Sequence, residues 1–169
     1  LRLRKAKVKS AMTPRTVAFA LRRSTTVEEY FHRYDQVTFS RIPVFDENRD
    51  QIQGFVLRND ILLAQARGNS KKTLGDYQRE IPVILDNMTL YHAFGEMIQQ
   101  RAQLQLVIDE YGGLQGLLTM EDLIETLLGL EIIDERDEQT DMQKEARKLW
   151  ERRAEKMGID ITALENGEL

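Results

Sequence analysis

The residues with the most chemical promise in this chain are a threonine and an aspartate three positions apart, closing the run Gly116-Leu117-Leu118-Thr119-Met120-Glu121-Asp122. The pattern sets a strand end against a helix N-terminus, where unpaired backbone N–H groups and the helix dipole attract anions. The Thr119 hydroxyl can donate to a phosphate oxygen or a polar base atom. The Asp122 carboxylate can accept two hydrogen bonds from ribose hydroxyls. Together they are chemically sufficient for a ribonucleotide. Thr119-x-x-Asp122 is also an ordinary capping pattern worth about 1 kcal/mol to its helix, and the tetrapeptide alone favours that simpler role. The balance shifts because the context recurs from Gly54 to Asp60, with Leu57 in the threonine position. The first copy keeps the acid and loses the hydroxyl.

Other chemistry is sparse. His32 and His92 fall on expected helices, neither beside a serine or carboxylate in a catalytic pattern, and cysteine is absent, so the usual nucleophile and base pairings are missing. There is no GxxxxGK[ST] loop and no GxGxxG turn to cradle phosphates. The expectation is a protein that is not an enzyme and has no catalytic residues. The carboxylates at Glu131, Asp134, Glu135, Asp137, Glu138 and Asp141 match no calcium-loop spacing, and they read as a solvated hinge rather than a metal site.

The elements that must position Thr119 and Asp122 come in two copies. Thr26-Val27-Glu28-Glu29-Tyr30-Phe31 is echoed 63 residues on by Thr89-Leu90-Tyr91-His92-Ala93-Phe94, and Val44-Phe45-Asp46 by Val107-Ile108-Asp109. A repeat this short buries its own core poorly, so two modules packed face to face are expected, with a ligand cleft between them. In the first copy a helix starts at Thr26, which has capping-box spacing to Glu29. Strands follow at 42–45 and 52–57 around a polar turn, then a helix from Asn59 to Arg67 closed by Gly68. In the second, 81–85 is a strand, Thr89 to Gln100 a helix, 104–108 and 114–118 strands around Tyr111-Gly112-Gly113, and Met120 to Leu130 a helix. Met142, Ala146, Leu149, Trp150, Ala154 and Met157 then recur at helical spacing, which reads as core or subunit packing.

Composition permits this arrangement and narrows the partners. The 169 residues carry 24 Lys+Arg against 28 Asp+Glu, a net charge of −4, and 41% are hydrophobic. Nothing global calls for nucleic acid. No run approaches the roughly eighteen apolar residues of a membrane span. The chain begins at Leu1 and reads as if cut from a longer polypeptide. The basic cluster Arg2, Arg4, Lys5, Lys7 and Lys9 reads as the trailing edge of an upstream membrane segment rather than a nucleic-acid contact. The short tail after the last helix reads as a natural terminus.

In these features the chain resembles tandem CBS domains, the paired regulatory modules (Bateman modules) that bind adenosine nucleotides. Met12-Thr13-Pro14-Arg15, Ser40-Arg41-Ile42-Pro43-Val44, Asp109-Glu110-Tyr111-Gly112-Gly113 and Leu118-Thr119-Met120-Glu121-Asp122-Leu123-Ile124-Glu125 are similar to the CorC and cyclin-M (CNNM) family of haemolysin-like membrane proteins. Glu131-Ile132-Ile133-Asp134-Glu135 continues the likeness, which covers residues 8–138. The resemblance implies an α/β (α+β) fold of two pseudo-symmetric CBS motifs, each a small mixed sheet with two helices, plus a C-terminal helix. The expected division is a basic lead-in at 1–11, motif 1 at 12–68, a linker at 69–78, motif 2 at 79–131, and an acidic hinge with an amphipathic helix at 132–169.

The resemblance further implies a module on the cytoplasmic face of the membrane, following a transmembrane domain concerned with magnesium or cobalt efflux. It would bind ATP or AMP at one cleft, with Mg2+ on the phosphates, and assemble as a homodimer through the second-copy helices and the Trp150 segment. Residue by residue, it places Thr13 near the ligand, Phe39 beside the adenine, Arg41 against phosphate and Pro43 shaping the base pocket. Thr119 and Asp122 fall on phosphate and ribose, and Ile42 counts among the nucleotide-binding residues. Phe39 stands where the family often has tyrosine, so a ring hydroxyl is lost while stacking survives. The second cleft, at Asp60, has Leu57 for a hydroxyl and Leu106 in place of Pro43, and is expected to be empty or weak. The alternative reading is a ligand-free module whose function is dimerisation.

Overall fold

The computed structural model describes residues 5–156, with the backbone alone at 131–141, 154 and 156. The chain divides into two compact units, Leu1–Leu127 and Leu128–Leu169. In the first unit the order is β1 (Thr13–Pro14), β2 (Leu21–Arg22), α1 (Val27–Tyr34), β3 (Arg41–Phe45), β4 (Ile52–Leu57), α2 (Arg58–Ala66), a 3-10 turn (Leu74–Tyr77), β5 (Val83–Leu85), α3 (Leu90–Gln100), β6 (Leu104–Ile108), β7 (Leu114–Thr119) and the start of α4 (Met120–Lys156).

The strands form two mixed sheets, β2-β3-β4 and β1-β7-β6-β5. In each a short strand runs parallel to the hairpin that follows it: Leu21 pairs with Val44 in one and Ile84 with Val107 in the other. The hairpins carry an irregularity at equivalent places, Val44/Phe45 and Val107/Ile108. Alternation along β3 sends Ile42 and Val44 into a core with Val27, Tyr30, Val56 and Ile61. The second core gathers Ile84, Leu90, Met97, Val107, Leu118 and Leu123. A third cluster joins the sheets, packing Ile52 and Phe55 from one against Leu104, Leu106 and Leu117 of the other.

Two connecting segments depart from the expected division. β1, placed in motif 1 by the sequence, pairs antiparallel with β7 of motif 2, Thr13 opposite Leu117 and Pro14 opposite Gly116. Val8, in the expected lead-in, is fully buried in the second core. The linker at 69–78 returns to motif 1 in the same way. Leu74 is buried in the first core, its N–H donates to the Thr25 carbonyl (2.8 Å), and Arg79 bridges to Phe55. The segment preceding each copy therefore completes the other module's sheet or the clefts beside it.

The repeated glycines make this exchange possible. A Cβ on Gly116 would lie 2.3 Å from the Thr13 carbonyl oxygen, and one on Gly54 would lie 2.4 Å from the Arg79 carbonyl oxygen. Only a residue without a side chain admits the crossing backbone at these points.

The expected acidic hinge is helical. α4 runs unbroken to Lys156, because residues 130–156 contain neither glycine nor proline and are rich in Glu, Gln, Lys, Arg and Leu, all strong helix formers. In the second unit Arg147 donates to Glu151 one turn on (3.2 Å), while Met142, Leu149 and Trp150 are exposed rather than packed. Met157 lies outside the described residues, as do Arg2 and Arg4.

Candidate functional site

The first cleft opens beside the end of β7. It has a volume of about 400 Å3, and Thr13, Phe39, Arg41, Pro43, Thr119 and Asp122 all line it. Four chain segments bring them together. Thr13 comes from β1, Arg41 and Pro43 from alternate positions of β3, Phe39 from the loop before β3, and Thr119 and Asp122 from the β7–α4 junction. Ile42 does not join them. Its side chain is fully buried in the first core, because the pleat that turns Arg41 and Pro43 toward the cleft turns Ile42 away.

The polar groups of this cleft differ in how they are engaged. The Thr119 hydroxyl oxygen accepts from the Asp122 N–H at 3.1 Å, so the capping pattern is realised. Its own proton is still available to a ligand. The Met120 N–H donates to the Gln103 carbonyl (3.0 Å), so two of the first three N–H groups of α4 are taken. The expectation of a free helix N-terminus is narrowed to the one remaining N–H, that of Glu121, so an anion here gains most from a side-chain cation. Arg41 is the one cation among the cleft's lining residues. Among the described residues neither its guanidinium nor the Asp122 carboxylate has a hydrogen bond or ion pair. Glu121 also lines the cleft.

Phe39 is 57% exposed, an unusual position for a large aromatic, and its ring is held against Phe19 at 5.7 Å between centroids. Phe19 packs edge-on against Tyr34 (6.0 Å), and Tyr34 lies 6.4 Å from the buried Tyr30. A chain of rings thus anchors Phe39 to the first core. Burial pushes the Tyr30 phenol above its usual range, with Arg58 pulling in the opposite direction.

The second cleft, of about 250 Å3, occupies the pseudo-equivalent position, and its lining is altered at each functional point. Leu57 replaces Thr119, and α2 has no side-chain cap. Ala102 stands for Phe39 and Leu104 for Arg41. Arg79 crosses where Thr13 crosses in the first cleft, and its guanidinium binds the Asp60 carboxylate at 2.8 Å. The acid that corresponds to Asp122 is therefore already engaged. His32 and His92 line neither cleft, and His92 faces Glu96 one turn on at 3.5 Å.

Comparison with known proteins places this architecture. The family model for the CBS domain matches residues 74–129. A haemolysin-like protein containing a CBS domain from Oenococcus oeni PSU is 30% identical, with 75% of this chain and 93% of that one covered at a TM-score of 0.67. The CBS domain of the bacterial CNNM/CorC family Mg2+ transporter, solved in complex with ATP, is 29% identical over 76% of this chain and 91% of that one, at a TM-score of 0.70. The magnesium and cobalt efflux protein CorC of Escherichia coli K12 is 31% identical over 150 residues, 88% of this chain and 51% of that protein. The chain is a CBS-domain pair of the CorC/CNNM family.

The CBS pair spans about half the length of the curated relatives it matches. Among its described residues no helix is long and apolar enough to cross a membrane. Six lining residues of its first cleft, Val17, Ala18, Phe19, Leu104, Leu117 and Glu121, have no part in the expected site. Phe19 and Val17 line the cavity beside Phe39, and the only sequence signal for them was the short apolar run from Val17 to Leu21. Arg79 was missed because its role rests on a crossing that no local pattern announces.

Proposed function

We propose that this CBS pair binds an adenine nucleotide in the first cleft and regulates a membrane ion-transport domain to which it is attached. One observation carries the reading. Thr13, Phe39, Arg41, Pro43, Thr119 and Asp122, drawn from four segments, line one cavity of ligand size, and the carboxylate and guanidinium among them have no internal partner. Both groups are part-buried and line the cavity, so a ligand can engage them without breaking an internal bond. In this reading the base stacks on the exposed Phe39 ring, a contact worth about 1–3 kcal/mol. The ribose hydroxyls donate to Asp122, the Thr119 hydroxyl donates to an oxygen of the ligand, and Arg41 takes the phosphates in a bidentate grip.

A triphosphate in this cleft meets Glu121 and Asp122 against the single cation Arg41. Mg2+ on the phosphates offsets that excess of negative charge, so ATP is expected to bind with the metal. The ATP complex of the CNNM/CorC relative supports the ligand class. Regulation follows if the ligand has different affinity for two conformations of the whole protein. The module would then lie on the cytoplasmic face and pair with a second copy through Tyr91, Ile98 and Ile124, apolar residues exposed on α3 and α4. Its role is regulatory rather than catalytic.

The test is thermal unfolding with ATP, AMP and GTP, with and without Mg2+. A ligand at 100 times its dissociation constant stabilises by about 2.7 kcal/mol. Adenine nucleotides should raise the midpoint by several degrees and Asp122→Ala should abolish the rise. No shift at millimolar nucleotide would leave dimerisation as the function.

A further inference from the structure

The second cleft is unsuited to a nucleoside but is rich in cation. Arg41, Arg79 and Arg101 all line its roughly 250 Å3, against the single lining carboxylate of Glu80. Arg79 is partly neutralised by Asp60, which is not a lining residue. Among the described residues the side chains of Arg41 and Arg101 have no hydrogen bond or ion pair. Three guanidiniums against one lining carboxylate leave this cleft with an excess of positive charge, and the natural counterpart is an anion with several oxygens, since guanidinium forks match phosphate geometry.

Arg101 adds an independent observation. It follows α3 with φ 52° and ψ 34°, and it is the only non-glycine residue with positive φ among the described residues. Glycine or asparagine takes this left-handed position at lower cost. A helix C-terminus favours a cation, but that gain is also open to cations at neighbouring positions with ordinary backbone. Arginine at this position makes sense if the guanidinium has its own task in the cleft.

We infer that the second cleft is a phosphoryl-anion site, built from Arg41, Arg79 and Arg101, and not a second nucleoside site. Arg41 also lines the first cleft, so the two cavities share a cation. Two sources can supply the anion: the terminal phosphates of a nucleotide seated in the first cleft, or a free polyphosphate such as pyrophosphate. The first source rests on the function proposed above, and the second stands without it.

The experiment titrates the chain with ATP, AMP and pyrophosphate by calorimetry, in the wild type and in Arg101→Asn. Asparagine suits the left-handed backbone, so the variant's thermal midpoint should hold or rise, which separates loss of binding from loss of folding. A charge-assisted contact to phosphate is expected to be worth about tenfold in affinity or more. If nucleotide tails are the ligand, ATP binds at least tenfold tighter than AMP and Arg101→Asn erases most of that ratio while leaving AMP within about twofold. If a free anion is the ligand, pyrophosphate binds and Arg101→Asn weakens it by the same factor. Pyrophosphate binding without nucleotide binding would uphold this site and sink the nucleotide reading. Nucleotide binding with an unchanged ATP/AMP ratio in Arg101→Asn, and no pyrophosphate binding, would overturn the second-cleft assignment alone. Binding of neither would overturn both.

Discussion

Three helices of this CBS pair begin with a threonine whose hydroxyl oxygen accepts from the N–H three residues on: Thr26 from Glu29 (3.1 Å), Thr89 from His92 (3.2 Å) and Thr119 from Asp122 (3.1 Å). Of the three only Thr119 lines the first cleft. This gives an internal control for separating a cap from a ligand contact. Replacing any of them with valine removes one capping bond at nearly constant volume and should cost about 1 kcal/mol, lowering the midpoint by about 2–6 °C in a domain of this size. In Thr26→Val and Thr89→Val the stabilisation by saturating ATP should be unchanged, because neither hydroxyl reaches the cavity. In Thr119→Val it should fall by a further 0.5–1.5 kcal/mol, about the value of one lost neutral hydrogen bond, equivalent to a 2- to 13-fold weaker complex. Thr119→Ser should restore both effects. Thermal scans of the four variants with and without nucleotide read the two quantities separately. An identical nucleotide response in Thr119→Val and Thr89→Val would refute the argument and leave Thr119 as a cap only.

Other expectations follow from packing and protonation. Gly116→Ala drives a Cβ toward the Thr13 carbonyl and should destabilise by about 1–3 kcal/mol while weakening nucleotide binding through displacement of Thr13. Denaturant titration and calorimetry report the two losses. Gln105 is fully buried on the core-facing side of β6, with neither end of its amide partnered. Gln105→Ile, which installs the residue type found at the equivalent Ile42, should therefore stabilise by about 1–3 kcal/mol in the same assay. The Tyr30 phenol has a raised pKa in the folded state, so its contribution is complete below the unfolded value near 10 and is lost as pH rises through the folded value. Unfolding midpoints above about pH 10 should fall less steeply in Tyr30→Phe.

The fold was legible wherever local chemistry and tertiary structure agree. Thr26 and Thr89 announce helix starts by spacing and cap them in the structure, and the strand pair around 42–57 is repeated at 104–119 in both sequence and sheet. Of the expected site residues, Thr13, Arg41, Pro43, Thr119 and Asp122, carried by the family motifs, and Phe39, just ahead of one, line the first cleft. The Ile42 side chain does not line the cleft, because a motif names a run of residues while the pleat sends alternate side chains to opposite faces. What stayed hidden depends on long-range crossings. Neither the pairing of Thr13 with β7 nor the reach of Arg79 to Asp60 leaves a periodic trace. The glycines at 54 and 116 were visible as repeats, but their purpose emerges only when the crossing carbonyls are in place. The acidic run after Leu130 misled because charge density suggested a solvated break, whereas the absence of glycine and proline lets the helix continue.

The proposed asymmetry between the two clefts of this repeated fold gives one the nucleoside and the other only its phosphates. The structure of this chain crystallised with Mg2+ and ATP measures it most directly. Adenine is expected against Phe39, ribose hydroxyls on Asp122, phosphates on Arg41, and no base beside Ala102 and Leu57. Adenine in the second cleft, or an Asp60 carboxylate released from Arg79 to hold a ribose, would contradict it.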